Sequence, residues 1–273
     1  MTVFWALISD TFQEARARWL FWGLFGLSTL LILLFLFVMK IDVVEGAISL
    51  MGIESTTRHV NIHRFVTASY SWISVFLYVW GTFLAIFASS GLIPSVLEAG
   101  RIALLLSKPV SRTKLLMGRY AGNVLIVLLN HVYLIGSIWL IVALKTDIWL
   151  PRFLLSIAGS LFIFAVLLCV VVLVGVISES SALSVMVAVA LMLISAILAQ
   201  RDTMIRLLSS EWSRNLWQAL YWILPKIYDL GGAMRQIMVY ERDADWVTPV
   251  WTSSLFGLAA LAGAVQIFRK RDF

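Results

Sequence analysis

Charge disappears from this chain for long stretches. Residues 19–39, 65–97, 120–144, 153–178, 180–200 and 246–268 contain no Asp, Glu, Lys or Arg, and each run is as long as the roughly 20 residues that a membrane-spanning helix needs. Stretches such as "LLILLFLFV" and "LLCVVVLVGV" are apolar at every position, whereas the strands of a membrane barrel alternate polar and apolar over about ten residues. The pattern predicts an all-α, polytopic membrane protein with six transmembrane helices in a single domain, residues 1–273.

Shorter elements occupy the gaps. Trp5, Ile8, Phe12, Ala15 and Trp19 recur at spacings of three and four, which predicts an N-terminal interfacial helix leading into the first span. "NLWQALYWILP", residues 215–225, is apolar and aromatic but too short to cross, so it is expected at the interface with Trp212, Trp217 and Trp222 at headgroup level. Only Ser178, Glu179 and Ser180 separate the fourth and fifth spans. Those two helices should be antiparallel neighbours joined by a tight turn.

Composition agrees, at 61% hydrophobic and 13% charged residues with a mean hydropathy of +0.95. The net charge of +6 does not point to nucleic acid, because most basic residues flank spans, where they report orientation. On the side of the two termini stand ten of them: Arg16, Arg18, Arg101, Lys108, Arg112, Lys114, Arg119, Arg269, Lys270 and Arg271, against five acids. The other eleven are spread more thinly among ten acids. Both termini are therefore expected in the cytoplasm and residues 201–245 outside it. The first apolar run is too long for the core of a signal peptide and no small-x-small cleavage site follows it, so it is expected as a retained helix. Cys169 stands alone, which leaves no intrachain disulfide.

The stretch "LEAGRIALLLSKPVSRTKLLMGRYAG", residues 97–122, concentrates five basic residues between the second and third spans. Pro94 ends a span, and Ser95-Val96-Leu97-Glu98 fits a capping box, so a new helix is expected from Ser95. Glu98 and Arg101 share one face of it, while Ala99, Ile102, Ala103 and Leu106 form the other. Pro109 and its predecessor Lys108 break the helix into an elbow, and Ser111 is placed to cap the next helix. Physics leaves two uses for this basic rim: an anchor on lipid phosphates, or a knob for another protein.

This stretch resembles the loop between the second and third spans of type-2 ABC transporter permeases, the exporter-like group that includes the permeases for nitrous-oxide reductase and multicopper-enzyme maturation. The likeness lies in an acidic residue, a Gly with a basic neighbour, an apolar run, then Pro-Val-Ser-Arg and Gly-Arg-Tyr-Ala-Gly. "SDTFQEARAR" and "FRKRDF" are similar to the beginning and end of such permeases, so the likeness spans the chain. It implies a cytoplasmic coupling helix, with Glu98, Gly100, Arg101, Lys108, Pro109 and Arg112 meeting a partner. It also implies two copies of an ABC ATP-binding subunit, a second permease copy forming a homodimer, and residence in the cell inner membrane. The chain has no G-x-x-x-x-G-K-[ST] motif, so it is not expected to be an enzyme; ATP and Mg would be bound by the partner and no cofactor by this chain. Likeness in the loop does not identify a cargo.

Asn130 and His131 sit near the middle of the third span, where polar side chains either mark a pathway or hydrogen-bond between helices. His59 and His63 are four residues apart, but two histidines make an incomplete metal site. Ala259 and Gly263, with Ala260 and Ala264, suit close helix packing within one subunit or, as the alternative, a dimer contact. The chain shows no nucleophile–base pair, H-E-x-x-H or G-x-S-x-G. The competing functions are a non-transporting membrane scaffold that binds anionic lipid or a cytoplasmic protein, and a channel or intramembrane enzyme built on Asn130 and His131.

Overall fold

The computed structural model describes residues 2–17, 19–38, 43–44, 47–48, 62–91 and 111–271. Glu98, Gly100, Arg101, Lys108 and Pro109 lie outside the described residues, as do the expected capping box and His59; of His63 only the backbone is described.

The fold is all-α. Its helices are α1 (Thr2–Ala17), α2 (Trp19–Val38), α3 (Ile62–Phe76), α4 (Thr82–Ser90), α5 (Arg112–Thr146), α6 (Leu155–Ser178), α7 (Ser181–Leu198), α8 (Arg201–Leu207), α9 (Glu211–Ile223), α10 (Ile227–Met238) and α11 (Val247–Lys270). A π-helical turn, Leu77–Gly81, joins α3 to α4, and a 3-10 turn, Pro151–Leu154, leads into α6. Among the described residues the β structure is one antiparallel pairing of Val43–Val44 with Ala47–Ile48. Five helices are long and apolar enough to span a membrane, and the count is six when α1 and α2 are taken as one span bent by 72°. The protein is thus a multi-pass membrane protein.

Helix α6 is the axis of the bundle. It is apolar all round, and such a helix has to be enclosed by protein or lipid. Here protein encloses it: Phe164, Leu167, Leu168, Val171, Val172 and Val176 are buried, with α4, α5, α7, α10 and α11 packed around them. Helix α11 approaches most intimately through small residues. Gly257 faces Val166 and Cys169, Gly263 faces Leu173, and Ala260 and Ala264 are buried; Ala259, by contrast, points outward. The expected turn between the fourth and fifth spans is present. Glu179 closes α6 with φ 55, and the Ser180 side chain accepts the Leu183 amide at the start of α7, leaving α6 and α7 packed side by side.

Helix α1 has a protein neighbour besides. The face it buries carries Leu7, Thr11 and Ala15; of the predicted stripe Ala15 is buried, Ile8 and Phe12 are half-buried, and Trp5 and Trp19 are exposed. It lies along α5 rather than only along a membrane surface. Two glycines permit this: a Cβ at Gly118 would stand 2.8 Å from Leu7 Cβ, and one at Gly122 would stand 2.7 Å from Thr11 Cβ. Thr11 is compatible with full burial because its hydroxyl donates to Leu7 O at 2.8 Å. Arg16 O accepts the indole N–H of Trp22 at 2.9 Å across the bend into α2.

The segment before the last span divides into two parts. Helix α9 buries no residue completely, and Trp217 turns partly toward the bundle rather than outward like Trp212 and Trp222. Helix α10 is driven into the bundle: Ile227, Leu230 and Ala233 are buried, Gly231 lies under the Tyr78 ring, and Met234 covers Gly159 of α6.

The glycine contacts carry a direct test. Gly122→Val should force α1 off α5 at a cost of about 1–3 kcal/mol, the usual range for overpacking. Gly136→Ala, on the same helix with nothing within 4 Å of the added Cβ, should be neutral or slightly stabilising. Thermal unfolding of the two purified variants in one detergent checks the difference.

Candidate coupling face at the end bearing both termini

Helix α5 starts within the basic stretch, at Arg112. Ser111 adopts φ −68, ψ 144 and its side chain accepts the Lys114 amide at 3.3 Å, the N-cap expected from the sequence, so α5 begins rigidly at Arg112. One turn further, Leu115 and Leu116 are buried. From this helix two arginines reach outward to other elements.

Arg119 is 1% exposed. Its guanidinium grips α1: Nη1 donates to Glu14 Oε2 and Nη2 to Asp10 Oδ2, each at 2.5 Å. Asp10 and Glu14 are four residues apart and so stand on one face of α1. Two parallel charge-assisted bonds from one planar fork fix direction as well as distance. Glu14 is 10% exposed and Asp10 47%, so the pair with Glu14 is nearly dry while Asp10 faces water. Asn123, one turn on, donates to Arg119 O at 2.8 Å. Arg119 Nε and Asn123 Oδ1 find no partner among the described residues.

Arg112 reaches the other terminus. Its Nη1 donates to Phe268 O at 3.5 Å, to Arg269 O at 3.3 Å and to Arg271 O. A cation over the last carbonyls of a helix satisfies acceptors that have no partner inside it. Arg271 in turn donates to Val176 O and to Glu179 Oε1. Three arginines therefore join four places: α1, the first turns of α5, the end of α11 and the turn between α6 and α7. Of these, Arg112 is the one expected coupling residue among the described residues, and it stands at the root of the network.

Sequence reading counted Arg119 and Arg271 only as orientation charges. Asp10 and Glu14, spaced i, i+4 beside an apolar run, and Glu179, an isolated acid between two spans, were the signals that each arginine had a partner.

Asn130 and His131 occupy a separate place, about three turns further along α5. Both are 3% exposed. Asn130 Nδ2 donates to Ser28 Oγ of α2 at 2.9 Å, and His131 Nδ1 lies 2.8 Å from Val127 O of its own helix. Nearby, Thr29 and Tyr133 share a hydrogen bond of 3.1 Å at the surface of the bundle. At the opposite end, the Lys226 Nζ lies 4.1 Å from the Trp222 ring centre, 4.6 Å from that of Tyr221 and 3.2 Å from Thr252 Oγ1. Burial lowers the Lys226 pKa, and Asp229 opposes the shift. Among the described residues no cluster of His, Cys, Asp and Glu is arranged to hold a metal ion.

A protein-family model described as ABC-2 family transporter protein matches residues 5–204. The chain belongs to that family. It is a membrane permease component of an ABC transporter, and permeases of this family associate with an ABC ATP-binding subunit and are generally not themselves catalytic. The match holds Asp10, Glu14, Arg112, Arg119 and Glu179 and stops short of α9, α10 and α11. It does not single out the nitrous-oxide reductase maturation group. Comparison with curated proteins gives no match.

The permease's polar contacts should differ sharply in weight. Arg119→Met strands two carboxylates, one nearly buried, and breaking a buried pair costs about 3–5 kcal/mol; the water open to Asp10 puts the expected loss near the lower figure. Asn130→Leu and His131→Leu should each cost only about 1 kcal/mol, as single hydrogen bonds inside membranes do. Thermal unfolding of the three variants in detergent measures the contrast.

Proposed function

We propose that this permease works as one of two identical membrane subunits resting on two ABC ATP-binding subunits, and that ATP hydrolysis there drives translocation of a substrate, or exerts force, across the membrane. The observation that carries this reading is the position of Arg112. It stands within the basic stretch, directly after residues 95–111, opens α5, and joins that helix to the end of α11, so a push on residues 95–111 would travel into α5, onward to α1 through Arg119, and to the α6–α7 turn through Arg271. In this reading Glu98, Gly100, Arg101, Lys108 and Pro109 form the surface that meets the partner. Mg and ATP bind on the partner.

The density of basic residues supports placing both termini in the cytoplasm of a cell with this protein in its inner membrane. A face of α2 suits the second copy: Gly23 and Gly26 have nothing within 4 Å of an added Cβ, and the Thr29–Tyr133 pair offers hydrogen-bonding groups next to them where lipid has none to return.

Charge reversal tests the coupling surface. Glu98→Arg or Arg101→Glu should abolish retention of the ATP-binding subunit or its ATPase coupling, while the protein still inserts normally, because losing one partner of a desolvated charged pair costs about 2–5 kcal/mol of association; Pro109→Ala should be milder. Wild-type retention and coupling in both reversals would leave these residues as a lipid anchor. Sidedness has its own measurement. In a Cys169→Ser background, Ser210→Cys should react with an impermeant maleimide added outside intact cells, and reaction from the cytoplasmic side alone would invert the topology.

A further inference from the structure

We infer that the span formed by α3 and α4 is jointed at its π-helical turn, and that this turn has a second, α-helical setting in which α3 is twisted against α4 by one residue. The turn, Leu77–Gly81, answers a problem of register. Val66, Tyr70, Ile73 and Leu77 form the buried stripe of α3, and Thr82, Ala85, Ile86 and Ser89 that of α4. Within each stripe the spacing is the three and four of an α-helix, but from Leu77 to Thr82 the step is five. In a regular α-helix, at about 100° per residue, that step would leave Thr82 about 140° round from Leu77, and one stripe would turn away from the bundle. The wider π turn takes up the extra residue.

The two stripes serve different parts of the bundle. That of α3 packs with Leu134, Ile135, Ile138 and Val142 of α5 and with Phe153, and that of α4 with α6 and α7. Helix α4 ends at Ser90, shortly before residues 95–111, where the partner is proposed to push. The joint thus stands between the driven end of the span and its far half, and its operation rests on that proposed function.

The present setting leaves one group unsatisfied. Thr82 is fully buried, and its amide is shared between Leu77 O, five residues back, and Val79 O, three back. Its hydroxyl finds no partner among the described residues. Elsewhere in the spans Ser28, Thr29, Ser74, Ser160, Ser178 and Thr252 each donate to the carbonyl four residues back, the usual acceptor for a hydroxyl inside a helix. At Thr82 the π turn has moved that carbonyl, Tyr78 O, out of line, and an α-helical turn would restore it. A buried hydroxyl without a partner is a standing cost; the burial of both stripes offsets it, so two settings of the same residues compete. Gly81 loosens the backbone between them. Packing does not demand glycine there, because the nearest contact of an added Cβ is Leu77 Cδ2 at 3.9 Å.

The second setting changes what α3 presents. With α4 held on α6, winding the turn into an α-helix twists α3 in place by about 100°. The apolar stripe from Val66 to Leu77 then turns toward lipid, which is as apolar as the core it leaves. Thr67, Ser71, Ser74 and Tyr78, each one residue further along the helix, take its place and set a row of hydroxyls toward the interior.

The test uses the permease with a cysteine-free ATP-binding subunit in phosphatidylcholine vesicles, in the Cys169→Ser background. A fluorophore sits on a single cysteine, Trp72→Cys on α3 or Phe87→Cys on α4, both positions now exposed. Trapping with ATP and vanadate should lower quenching by brominated phosphatidylcholine at least twofold at position 72 and leave position 87 unchanged. Deletion of Val79, an exposed residue of the turn, makes the step from Leu77 to Thr82 four and keeps both stripes inward; it should abolish the change at position 72 without lowering the thermal midpoint. Thr82→Val removes the group that only the second setting satisfies, and should raise the midpoint and at least halve the change. ATP hydrolysis with unchanged quenching at position 72 overturns the joint and leaves the proposed function standing. An equal fall at positions 72 and 87 overturns it too, since the span then moves as one piece, and so does a full-sized fall in the deletion variant or in Thr82→Val. A permease that holds no ATP-hydrolysing partner overturns the proposed function and the joint with it.

Discussion

The buried ion pair between Arg119 and the acids of α1 is the contact on which the arrangement at the terminal end depends. Taking a guanidinium out of water costs several kcal/mol unless carboxylates meet it with good geometry, and here Asp10 and Glu14 both do. They reach it only because Gly118 and Gly122 let the two helix backbones come together. The pentapeptide Gly118–Gly122 is thus one device: the glycines set the distance and the arginine supplies the attachment. Because α1 is held along α5, the chain has to turn by 72° to enter α2.

Charges elsewhere at this end follow the same logic. Helix ends in a membrane protein leave carbonyls that lipid does not satisfy, and arginine, with five donors and a charge that is never lost, is suited to covering several at once. Arg112 covers the end of α11 and Arg271 the end of α6. The basic residues that orient a membrane protein are here also its fasteners. That double use gives this end of the chain a small, continuous set of polar contacts from α1 through α5 to the ends of α11 and α6.

What was legible in the sequence was what water and lipid enforce directly. The apolar runs, the Ser111 cap and the turn at Ser178–Ser180 were all visible, because each rests on local chemistry. The face of α1 was legible only in part. Apolar periodicity finds the side of a helix that avoids water, and in a membrane protein lipid accepts that side as readily as protein does. Packing against α5 buried Leu7 and Thr11 together with Ala15 of the predicted stripe, and left Trp5 and Trp19 outside. Likewise on α11 Ala260 and Ala264 are buried and Ala259 is exposed. The residues expected to couple, Glu98 to Pro109, fall outside the described residues; Arg112, the last of that set, is described.

Helix α6 is the most deeply buried of the spans, with α11 seated on it through Gly257 and Ala264 and Tyr120 of α5 donating to its Ala165 carbonyl at 3.1 Å. Close packing limits the alternative registers: a shift by one residue would bring Phe256 or Leu258 to the place of Gly257, where a Cβ alone would already touch Val166 and Cys169. The consequence is mechanical. Helix α6 is then the fixed part of the bundle, and the chain has little freedom to re-sort its helices around it. A large movement within the chain falls to the periphery, at the bend between α1 and α2, with the central stack tilting as a solid body.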